Sequence, residues 1–144
     1  MSYFNTPISK VTTEIYHSKL SFVGNTALND YLTFDAPEFD NTNNVTRGST
    51  DLVLGVGEYL ASVSLGVENS QSIVNNCSYG IEIDGSIASN TGASTKNNKC
   101  GIDTAVCTVD IITGTKTLKI KIMQQNGTTT IDDDYCSFLL MRVS

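Results

Sequence analysis

Tryptophan is absent from this 144-residue chain, histidine occurs once, and 9 Lys and Arg stand against 15 Asp and Glu, giving a net charge of −6. Each shortage closes a class of function. The acidic balance argues against a surface that tracks phosphates, because nucleic-acid binding needs clustered Lys and Arg, so no nucleic-acid partner is expected. With His17 the only imidazole, a Ser-His-Asp or Cys-His site would have to recruit it from an N-terminal region expected to be poorly ordered. No enzymatic activity is therefore expected. Zinc is disfavoured for the same reason. The longest apolar runs, such as Phe138–Met141, are far shorter than a bilayer-spanning segment, so no membrane insertion is expected. The opening MSYFNTPISK lacks a basic region followed by an apolar core, so no secretory signal is expected. Charged residues make up only 17%, and the chain is short of the Ala, Leu, Glu and Lys that build long helices.

The four cysteines, Cys77, Cys100, Cys107 and Cys136, fit neither a C-x-x-C metal ribbon nor a dense disulfide framework. Two readings stay open for Cys100 and Cys107. They form a disulfide closing the loop GIDTAV, or they are buried or half-buried thiols of a protein made in a reducing cytosol, which is the favoured reading.

What the chain has in quantity is Ser, Thr and Asn, roughly a third of the residues, a composition suited to strands joined by Asx- and Gly-containing turns. The stretch Asp51–Val67 reads as a core strand introduced by Gly55 and Gly57. After Gly57 the apolar residues fall at Tyr59, Ala61, Val63, Leu65 and Val67, with Ser62 and Ser64 between them. Residues 18–23, 31–35, 105–112 and 117–123 read as further strands, the last with Leu118, Ile120 and Ile122 inward and Lys119 and Lys121 outward. Asp84-Gly85 marks a two-residue hairpin in Ile73–Ile87, and Asn126-Gly127 marks another tight turn. Residues 36–50 read as a surface loop. Residues 88–99 read as a long loop or an exposed, irregular strand pair. Tyr135–Val143 is apolar on both faces, which calls for cover on both sides. Met1 to about Ile15 reads as an arm in which Tyr3, Phe4 and Ile8 are spaced apolar anchors, leaving residues 16–144 as one domain. The sum is roughly eight to ten short strands with almost no helix, an all-β antiparallel sandwich, jelly roll or barrel.

Three pieces resemble the trimeric jelly-roll superfamily of tumour necrosis factor and the globular heads of complement proteins. They are Val56-Gly57-Glu58-Tyr59-Leu60, Thr113-Gly114-Thr115-Lys116-Thr117-Leu118-Lys119-Ile120 and Tyr135-Cys136-Ser137-Phe138-Leu139-Leu140. The resemblance covers about Leu52 to Val143. It departs from the family at Ser137, where Gly is common, and in having no preceding collagen repeat. It implies a jelly-roll sandwich forming a homotrimer around a threefold axis, with Tyr59, Tyr135, Phe138 and Leu140 as candidate interface residues. Asp132, Asp133 and Asp134, read as an acidic loop, offer oxygen ligands for calcium, which several complement-like heads bind; a solvated turn is the favoured reading, and no other cofactor is expected. The sequons at Asn44, Asn76 and Asn126 read as accidents of composition.

The functional expectation is a non-enzymatic virion structural protein. It would be a trimeric capsid decoration or head-fibre protein of a bacteriophage or virus, made in the host cytoplasm and held to the major capsid protein or another virion component by its arm. The alternatives are a receptor- or glycan-binding tip domain of a tail fibre, contacting a host-surface glycan, and a secreted complement-like or cytokine-like trimeric ligand.

Overall fold

A computed structural model describes residues 13–21, 29–68, 75–95, 101–125 and 130–144. Tyr3, Phe4 and Ile8, the Asn126-Gly127 turn and Cys100 lie outside them. The described residues hold eleven strands and no helix: β1 (Glu14–Ser21), β2 (Thr33–Phe34), β3 (Phe39–Asp40), β4 (Val45–Arg47), β5 (Leu52–Leu54), β6 (Gly57–Glu68), β7 (Asn75–Ile83), β8 (Ser86–Thr95), β9 (Gly101–Ile111), β10 (Lys116–Gln125) and β11 (Thr130–Arg142). They form two antiparallel sheets. One runs β2-β1-β11-β6-β9, with β3 also paired to β1, and the other runs β4-β5-β10-β7-β8. The all-β sandwich expected from the strand pattern is the fold.

Period-two alternation decides which side chains meet between the sheets. From the first sheet come Tyr16, Leu20, Tyr59, Ala61, Val63, Leu65, Phe138 and Leu140, and from the second Leu52, Leu54, Tyr79, Ile81, Leu118, Ile120 and Ile122, all buried. Burying each large apolar side chain contributes about 1.5–3 kcal/mol. Phe138 sits at the centre, edge-on to Phe34 with ring centroids 5.1 Å apart and tilted against Tyr16 at 6.3 Å. Tyr79 ties the layers together by hydrogen bonds: its hydroxyl accepts from Leu65 N across the core (3.3 Å) and donates to the Asp103 carbonyl of β9.

The stretch Asp51–Val67 divides between the layers. β5 belongs to the second sheet, and the core strand β6 starts at Gly57 in the first. Gly57 makes the crossing with φ of +150°, and a Cβ there would come within 2.6 Å of Arg142 Nε and 3.1 Å of Ser144 O. Only glycine meets both demands. Tyr59 Oη braces the same crossing by donating to Gly55 O at 3.0 Å.

The Asp84-Gly85 hairpin is present between β7 and β8, both residues at positive φ (48° and 83°) as a two-residue turn of this hand requires. Two expectations are corrected, and one left open is resolved. The strand expected at residues 18–23 begins earlier, at Glu14, so Glu14 and Ile15 belong to the sheet and His17 sits in a strand. The loop expected at 36–50 contains β3 and β4, held by main-chain pairing that leaves no hydrophobic period. Most of the polar run from residue 88 is edge strand β8, paired along its length with β7; with one side unpaired it can be polar.

Phe138→Ala is expected to lower unfolding stability by about 3–5 kcal/mol. Gly57→Ala should cost about 1–3 kcal/mol through backbone strain. Urea midpoints measure both, and an unshifted midpoint for Gly57→Ala would show that the crossing does not need glycine.

Candidate interaction surface

Register across the first sheet fixes what its outward face presents. Ile15 lies opposite Met141, and Met141 opposite Leu60. In the next row come His17, Leu139, Ser62 and Val106, and in the one after Lys19, Ser137, Ser64 and Thr104. Ile15, Leu60, Leu139 and Met141 are each half-buried. Beyond them Val106, Ile102 and Tyr135 are 50%, 55% and 54% exposed. An aliphatic patch thus crosses four strands on a face turned away from the core. Ser64 and Thr104 share a 2.6 Å hydroxyl hydrogen bond beside it.

Of the candidate interface residues, Tyr59, Phe138 and Leu140 point the other way. They are 1%, 0% and 1% exposed within a single chain and have no surface to offer a second copy. This corrects their assignment, and the reason is phase: in β11 the even-numbered residues from Cys136 face the core and the odd-numbered ones face out. Tyr135, the fourth candidate, is exposed. Leu60, Leu139, Met141, Val106 and Ile102 were missed, although the signal was the second apolar phase of β11.

The patch is bordered by charge. At one margin His17 Nδ1 lies 3.1 Å from Glu38 Oε2, and where β1 begins and β11 ends Arg142 Nη1 donates to Glu14 Oε2 at 2.8 Å. The Arg142 hydrogen bond, with a smaller one from Asn43 N–H, holds the Glu14 carboxyl below its ordinary value despite partial desolvation. On the outward face of the second sheet, Glu82 is 5% exposed. It accepts from Tyr31 Oη (3.1 and 3.2 Å) and lies 3.5 Å from Lys121 Nζ, while Lys119 Nζ sits 4.6 Å over the Tyr31 ring. These groups are satisfied by one another and pin residues 29–32 to β10, to which Asn29 N and Leu32 N also donate.

Asp132, Asp133 and Asp134 lie in β11 and are strand residues, correcting the loop expected there. The side chains of Asp132–Asp134 are not described; among the side chains that are, no three His, Cys, Asp or Glu gather as a metal site would require. Cys77, Cys107 and Cys136 are thiols; the pairing weighed for Cys100 and Cys107 falls on Cys100, outside the described residues. Burial pushes the Cys77 thiol up to about 11, which keeps it protonated and unreactive.

The sequence matches no family profile and no curated protein. Solved structures match over nearly the whole chain. Murine APRIL at pH 5.0 superposes with a TM-score of 0.65 at 12% identity, covering 92% of this chain and 100% of that one. The globular domain of zebrafish complement 1qA gives a TM-score of 0.60 at 11% identity, covering 91% and 98%.

Because the folded-state value of Glu14 is depressed, its contribution is fully present above the unfolded value of about 4.3 and is lost as pH falls through the lower folded value. Glu14→Gln should therefore be less stable than the parent at pH 7 and approach it below about pH 4; denaturant melts at both pH values measure this, and a constant difference would remove the pair as its cause. The all-β sandwich, its strand order and these superpositions together identify the chain's fold as the jelly roll of the tumour necrosis factor and complement globular-head type.

Proposed function

We propose that this chain is a non-enzymatic, homotrimeric assembly module that closes on itself through the outward face of its first sheet. The observation that carries the reading is the patch of Ile15, Leu60, Leu139 and Met141, continued by Val106, Ile102 and Tyr135, on a face that the described residues leave open. Aliphatic side chains gain by leaving water, and a closed ring of three copies covers the same patch on each without leaving an open edge. The fold shared with murine APRIL and zebrafish complement 1qA supports a trimer, through the resemblance drawn from the sequence.

The finer reading is a virion component, a capsid decoration or head-fibre protein anchored by the N-terminal arm with Tyr3, Phe4 and Ile8. Its support is the Thr- and Asn-rich, low-charge β composition and the spaced apolar residues of the arm. The likeness to APRIL and complement 1qA supports a trimeric ligand domain equally well. Glycan binding at a fibre tip rests only on the many amide and hydroxyl side chains.

Light scattering should give three times the chain mass at micromolar concentration. Leu139→Glu should reduce it to one while circular dichroism keeps its β signature, since residue 139 faces out; a monomeric parent would overturn the assembly. For the finer reading, the arm is best removed as residues 1–12, sparing β1. Full-length protein should rebind capsids stripped of it, and the shortened form should not. Equal rebinding would end the anchor idea, and binding to cell surfaces without capsid binding would select the ligand reading.

A further inference from the structure

Register sets His17 between Phe39 of β3 and Leu139 of β11. Directly paired residues of antiparallel strands share a face, so one outward row reads Phe39, His17, Leu139 and continues into Ser62 and Val106. Phe39 is 52% exposed, Leu139 is half-buried, and half-buried Ile15 lies two positions before His17 on the same face. The partly exposed imidazole therefore stands within the apolar patch. Its Nδ1 lies 3.1 Å from Glu38 Oε2, and Glu38 N donates to the His17 carbonyl at 2.9 Å, which keeps the carboxylate beside the ring.

We propose that His17 and Glu38 make self-assembly of this chain pH-dependent, with copies associating more tightly once the imidazole is protonated. Such regulation presupposes the trimer proposed above. A carboxylate beside Nδ1 accepts from it, so the neutral ring keeps its hydrogen there and a further proton enters at Nε2. Before that proton enters, the pair carries the single negative charge of Glu38; afterwards it carries none. A second copy laid over the patch takes water away from the pair, and removing water from an unbalanced charge costs more than removing it from a balanced one. The covered pair thus holds its proton more firmly than the open pair.

Few other groups compete. Among the described residues, Lys19 is the further charged side chain on this face of β1, two positions along, roughly 7 Å away and exposed to water that screens it. Glu14, Arg142 and Asp40 take the phase of Tyr16, the opposite one. Histidine is the side chain that ordinarily changes charge between pH 5 and 8, His17 is the only one in the chain, and burial raises the Cys77 and Cys107 thiols away from that range. A state that binds more protons is favoured as pH falls. Assembly is accordingly strongest below the titration of the free chain and weakens as pH rises through the higher value of the assembled one. A preference of about fivefold at each of three copies multiplies to about 125-fold in the trimer constant. Because that constant varies as the inverse square of concentration, the dissociation midpoint moves about tenfold.

Light scattering on dilution series of the full chain at about pH 8 and about pH 6, in mild urea where the trimer resists dilution, tests this. The midpoint concentration should be about tenfold lower at the lower pH. His17→Gln should make the midpoint independent of pH, and Glu38→Gln should remove the gain, since the charged ring then enters the interface unbalanced; circular dichroism checks that both variants keep the fold. In the unaltered protein, the single histidine ring signal in nuclear magnetic resonance should titrate at higher pH in concentrated than in dilute samples. Equal midpoints at both pH values, a pH response that survives in His17→Gln, or a ring signal indifferent to concentration would overturn the switch and leave the trimer standing. A parent of single-chain mass at both pH values would overturn the two together.

Discussion

Strand β11 is the constraint on which the rest depends. Held between β1 and β6, it sends Phe138 and Leu140 into the core and turns Leu139 and Met141 to the outside. The inward pair is part of what joins the sheets, because Phe138 contacts the rings of both Tyr16 and Phe34. The outward pair belongs to an apolar surface that the described residues leave partly open. One strand thus serves the core with one phase and the outer face of the sheet with the other. A polar substitution would have different meanings at adjacent residues, unfolding at 138 and a change of surface at 139.

The two sheets stay in register with each other through specific devices as well as apolar packing. Gly57 carries the chain from the second sheet to the first in a conformation closed to other residues, and Tyr59 holds that crossing by its hydroxyl. Tyr79 spans the interior to reach Leu65 N and the Asp103 carbonyl, and burial raises its hydroxyl to about 12, so it stays a protonated donor across the ordinary pH range. Charged groups sit mainly on the outside in small closed sets, Glu82 with Tyr31 and Lys121, and Glu14 with Arg142.

By itself the sequence determined the class of fold, because period-two alternation in residues 59–65 and 118–122 and the Asp84-Gly85 turn are local properties that survive into the folded state. It also carried the two apolar phases of β11. Only the tertiary structure decided which phase of β11 meets the core, since Phe138 and Leu140 are apolar like Leu139 and Met141; the neighbours β1 and β6 choose. It alone decided that Leu52–Leu54 and β6 belong to different layers, because a crossing between sheets has no period of its own. The same is true of the short pairings of β3 and β4 and of the opposed Glu58 and Asp110, which lie more than 50 positions apart in the chain and meet only through strand register.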